Sequence, residues 1–139
     1  MEQPGPSDQP VTAKDGEPVR VTLVVPADPA MARVARLTAS ALAASAGLTV
    51  DAVDDVKIAV SEMLALLVGR GGAAPVTLVF ASSPGELSID VSSRTPPFVG
   101  DDQELELTNL VLDAVTASHQ TSHDGDAGRI VATVVAPTT

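Results

Sequence analysis

Glu62 is the residue in this chain best placed to do chemistry. It closes the run Asp54-Asp55-Val56-Lys57-Ile58-Ala59-Val60-Ser61-Glu62, whose apolar residues recur at helical spacing. A carboxylate on such a helix can serve as a base near a reacting hydroxyl, and it is equally the ordinary furnishing of a helix rim. One turn further on stands Leu66. Ser61 has no positioned His to activate it, so a nucleophilic triad is not supported. His119 and His123 are four apart, which would suit a metal on a helix, but they fall in a stretch that reads as a strand. Gly69-Arg70-Gly71-Gly72 lacks the Lys-Ser/Thr of a phosphate loop and reads as a helix stop.

These residues must be held by a single small domain. A chain of 139 residues supports one core, built here from 45% hydrophobic but only 1% aromatic residues, with Phe80 and Phe98 as its rings. That scarcity leaves no platform for stacking bases. A formal charge of -10 would repel the phosphate backbone of a nucleic acid, so no nucleic-acid partner is expected. The same charge suits a basic protein partner and also simply keeps a protein soluble. The absence of Cys removes disulfides and thiolate chemistry and fits a reducing cytoplasm. No apolar run approaches the roughly 20 residues that span a bilayer, and the polar, acidic start has no signal-peptide character. The expectation is a soluble, cytoplasmic protein with no membrane partner.

Residues 1–18, with Pro4, Pro6, Pro10 and Pro18, read as a disordered arm, and residues 19–139 as the domain. Val19, Val21, Leu23 and Val25 alternate as a half-buried strand up to Pro26. Asp28 caps a helix with Pro29 in its first turn and an inward stripe of Met31, Val34, Ala35, Thr38, Ala41, Leu42 and Ser45, ending at Gly47. A second helix from about Val50 carries Val53, Val56, Val60, Met63, Leu64 and Leu67 inward. Val76, Leu78, Phe80 and then Leu87, Ile89, Val91 form a hairpin around Ser83-Pro84-Gly85. A third helix, Leu105 to Ser118, points Leu107, Leu110, Val111, Ala114 and Val115 inward. A last hairpin turns at Asp124-Gly125. This order predicts an α+β two-layer sandwich, helices on one face of a mixed, mostly antiparallel sheet.

The run ending in Glu62, together with that element order, resembles the small anti-sigma-factor serine-kinase branch of the histidine-kinase and Hsp90-like (GHKL) ATPase superfamily. The resemblance implies that fold and gives Glu62 the position of the catalytic Glu. It also places Leu66 where an Asn holds the magnesium of ATP. Anchoring Phe98 on the Phe that often follows the adenine-reading Asp-x-Gly-x-Gly segment aligns Ser93 with its Asp, Thr95 with its first Gly and Pro97 with its second. The glycine-rich segment before the last helix corresponds to Glu104-Leu105-Glu106-Leu107, and the final Gly-Thr to Gly128-Arg129. Two carboxylates thus stand where backbone amides would meet phosphates, each repelling a phosphate charge by roughly 3 kcal/mol at ~5 Å and an effective dielectric of 20.

The resemblance therefore implies a non-catalytic anti-sigma-like regulator of bacterial transcription. It would bind a sigma factor, an anti-anti-sigma protein or both, with no metal and no cofactor, and with Glu62 vestigial. Arg33 and Arg36 on the first helix are the expected partner contacts, and a homodimer is an assembly common among such relatives. The alternative is an active serine kinase on an anti-anti-sigma partner, using Mg-ATP and Glu62. A small-ligand or structural module on a reused fold is the third class.

Overall fold

A computed structural model describes residues 17–70, 74–98 and 102–137. The arm expected over residues 1–18 lies outside them except for Glu17 and Pro18. Strand β1 (Val19–Val25) leads through a short 3-10 turn, Pro29–Met31, into α1 (Ala32–Ser45) and α2 (Val50–Arg70). Then come β2 (Val76–Ser83), β3 (Glu86–Arg94), α3 (Gln103–Val115), β4 (Ser118–Asp124) and β5 (Ala127–Val135).

The five strands form one sheet in the order β1-β2-β3-β5-β4. Every pairing is antiparallel, where the element order had suggested some mixed pairing. The turn between β2 and β3 is two residues long. Pro84 presets its first position and Gly85 takes a left-handed φ of 76°, which sets the register that pairs Ser83 with Glu86. Gly85 also donates to the Ala46 carbonyl at 2.7 Å and accepts from the Ala136 amide at 2.8 Å, pinning the hairpin tip to the end of α1 and to the C-terminal segment.

All three helices cover one face. Val76, Leu78 and Phe80 of β2, Leu87, Ile89 and Val91 of β3, and Ile130, Ala132 and Val134 of β5 point into that layer and are buried. α2 is the central helix, and for that reason its buried set is wide. Ala52, Val56, Ala59, Val60, Met63, Leu64, Leu66 and Leu67 meet the sheet and both flanking helices. The expected stripe of α2 is buried apart from the half-buried Val53.

The faces of the other two helices differ from expectation. α1 buries Ala35 and Leu42 of the expected stripe together with Ala39 and Ala43, while Val34, Ala41 and Ser45 of that stripe are exposed, as is Leu37. Small side chains let α1 approach α2 closely, so alanines displace the larger residues from the contact. α3 buries Thr108 and Leu112, with Leu105 and Val115 packed partly against the core. Leu107 and Leu110, expected inside, are 64% and 65% exposed. α3 also ends at Val115, three residues short of the expected Ser118, because Ser118 already pairs with Thr133 in the sheet. Among the described residues no helix is long and apolar enough to cross a membrane.

Candidate functional site

A cleft of about 270 Å³ opens between α2 and α3. α2 lines it with Glu62, Ala65, Leu66 and Gly69, successive turns of one helix face; α3 contributes Glu104, Leu107 and Thr108. The structure thus brings Glu62, Leu66 and Glu104 together from separate parts of the chain. Leu66 is only 4% exposed, so its side chain is part of the cleft floor rather than a surface feature. Among the described residues no cation pairs with Glu62, Glu104 or Glu106, and no group of three or more His, Asp or Glu could hold a metal ion.

Ser93, Thr95 and Pro97 do not line this cleft. Ser93 is buried and its hydroxyl donates to the Pro75 carbonyl at 2.9 Å. Thr95 is buried as well. Its amide donates to the Asp126 carbonyl at 3.0 Å and its own carbonyl accepts from His123 Nε2 at 2.7 Å. Gly128 lies inside β5 rather than in a hairpin loop, opposite Ser93 on one side and His123 on the other. A Cβ there would overlap Thr95 Oγ1 and press on the Phe98 ring at 3.2 Å, so this glycine is needed for packing. His119 and His123 sit on β4 as read. His119 Nε2 lies 2.5 Å from Asp113 Oδ1, so the two histidines have separate partners.

What joins the loop after β3 to the cleft is Arg70, the last residue of α2. Its Nη1 pairs with Asp102, its Nη2 donates to the Pro97 carbonyl at 3.1 Å, and its guanidinium stacks 4.8 Å above the Phe98 ring. The Phe98 edge in turn meets His123, ring centroids 6.3 Å apart. Arg70 and Asp102 are mostly buried, with 14% and 9% of their side chains exposed. Asp102 is also the N-cap of α3, accepting from the Leu105 amide at 3.1 Å. That amide bond, followed by the Arg70 hydrogen bond and charge, holds its carboxyl below the ordinary aspartate range against the opposing cost of burial. The result is a clasp closing α2, the loop after β3 and the start of α3 onto one another. Sequence reasoning missed it, reading Arg70 only as part of a glycine-rich stop.

Arg33 and Arg36 lie on α1, on the other flank of α2. Arg33 is exposed. Arg36 is half-buried and donates to Ser61 Oγ at 3.2 Å, which ties α1 to α2 beside Glu62.

Residues 25–129 match the histidine kinase-like ATPase domain family. The chain belongs to that family. No curated protein matches it. The matched span runs from the end of β1 to the start of β5, so the α2–α3 cleft and the Arg70 clasp are both part of the histidine kinase-like ATPase domain and not additions to it.

Proposed function

We propose that this histidine kinase-like ATPase domain works without catalysis, as an anti-sigma-like regulator that binds a sigma factor or an anti-anti-sigma protein in the bacterial cytoplasm. The observation that carries this reading is the composition of the α2–α3 cleft. Its residues do not fit a magnesium-bound triphosphate. The position one turn after Glu62 is a buried Leu66 that offers a hard cation no oxygen. Glu104 faces the cleft where a triphosphate would bring its own negative charge. The N-terminus of α3 is already capped by the Asp102 carboxylate, and Arg70, a cation close by, is committed to Asp102 and the Pro97 carbonyl.

One observation favours the alternative, an active serine kinase: Glu62 does line the cleft, where a base would be needed. Isothermal calorimetry with Mg-ATP separates the two. The non-catalytic reading expects no saturable heat at millimolar nucleotide and no phosphate transfer to a partner serine. Micromolar binding would establish the kinase instead, with Glu62 the first residue to replace.

A further inference from the structure

The geometry points to the outer face of α3 as a docking surface for a basic amphipathic helix of another protein; this deepens the protein-binding reading and rests on it. Besides the face it packs on the core, α3 turns a second set of apolar residues outward. Leu107, Leu110 and Ala114 are all exposed, at the i, i+3, i+7 spacing by which one helix grips another. Leu107 and Leu110, at 64% and 65% exposure, are among the most exposed large apolar side chains described. Scattered exposed leucines need no explanation, but two on one helical ridge form a contiguous patch.

The ridge is bounded by concave surface on both sides. On one side Leu107 and Glu104 border the α2–α3 cleft; on the other Leu110 joins Glu106 and Asp113 around a second shallow depression. Among the described residues the charged side chains of α3 are all acidic, with Asp113 hydrogen-bonded to His119 of β4. α3 contains no Lys or Arg, and Arg70, which reaches its N-cap, is committed to the clasp with Asp102. An apolar ridge between acidic margins complements a helix with leucine-like side chains at its centre and Lys or Arg along its edges. A second copy of this chain is the wrong occupant. Packing α3 on α3 would bring Glu104, Glu106 and Asp113 against the same residues of another molecule that also carries a formal charge of -10.

The test uses the full chain and two synthetic peptides of about three to four helical turns. Each has leucines at i, i+3, i+4 and i+7; one carries lysine at the remaining positions and the other glutamate. Fluorescence anisotropy at low and physiological salt measures binding, and hydrogen exchange locates it. The lysine peptide is expected to bind saturably, to weaken with salt and to slow exchange in α3, while the glutamate peptide does not bind. Leu107→Ser with Leu110→Ser removes both apolar anchors of the ridge and should weaken binding about tenfold, the loss that marks the pair as central to the interface. Both positions are exposed, so the melting temperature should hold. Glu104→Gln with Glu106→Gln should weaken binding and flatten its salt dependence. Asp51→Asn with Asp124→Asn, exposed acids elsewhere, is the charge control.

Three results would overturn the surface: no lysine-peptide binding, equal loss in the Asp51/Asp124 control, or unchanged affinity in the Leu107/Leu110 variant. A concentration-dependent dimer that those serines dissolve would give the face to a second copy and overturn it too. Micromolar Mg-ATP binding, by contrast, would remove the non-catalytic reading whatever the peptides do, so the two failures are distinguishable.

Discussion

Replacing Leu66 by Asn inserts a metal-ligand type into the cleft floor and tests what that floor is made of. Leu66 is 4% exposed and belongs to the same buried cluster as Met63 and Leu67. Truncation of a buried Leu costs about 2–5 kcal/mol. Asn fills part of that volume, and because Leu66 borders the open cleft its amide can reach water from one side, which limits the penalty for burying an unbonded polar group. The expectation is therefore the lower half of the range, ~2–3.5 kcal/mol. For a domain of this size, with an unfolding entropy near 2.1 cal/mol/K per residue, that lowers Tm by roughly 8–14 °C. Differential scanning calorimetry or thermal circular dichroism reads the shift, and Leu66→Met, which keeps the volume, should cost less than about 1.5 kcal/mol. A Leu66→Asn melt within ~2 °C of the parent, equivalent to about 0.5 kcal/mol, would refute the packed floor. The variant should also gain no Mg-ATP affinity, because Glu104 and the Asp102 cap remain in place.

Asp102→Asn should flatten the acid limb of the stability curve. The folded-state carboxyl is held below its unfolded value, so its stabilisation is complete above the unfolded value near 3.9 and is lost as pH falls through the folded one; chemical denaturation from pH 6 to pH 2 should show parent and variant converging on acidification. Gly128→Ala should destabilise by about 1–3 kcal/mol through overpacking against Thr95 and Phe98, measurable as a lower urea midpoint at unchanged m. Arg70→Met removes the clasp, and hydrogen exchange should rise at the start of α3 and in the loop after β3 while the sheet stays protected. Arg33→Glu should leave the melt unchanged, since Arg33 is exposed, and should weaken partner capture if α1 takes part in the interface; equal capture would remove Arg33 from it.

The elements were legible because each is set by short-range chemistry. Alternation from Val19 to Val25 makes a strand wherever it is placed, Pro84-Gly85 turns a hairpin by its own φ preferences, and the periodicity of α2 around Val56, Val60, Met63 and Leu67 permits only one wide inward face. The resemblance carried by the run ending in Glu62 likewise led to the family that the chain matches. Periodicity did not settle the faces of α1 and α3, because each carries apolar residues on two sides and the choice belongs to the neighbour. Close approach to α2 selects Ala35 and Ala39 over Val34 and Leu37, and the volume left beside α2 and the sheet takes Thr108 and Leu112 while Leu107 and Leu110 stay outside. The Arg70 clasp was out of reach for the same reason. Pro97, Phe98 and Asp102 lie 27 to 32 residues beyond Arg70, on the far side of the β2–β3 hairpin, and nothing local to Arg70 specifies them as its partners. Local propensity chose the elements; shape and charge complementarity between distant residues, which exist only after the chain has closed, chose what each face does.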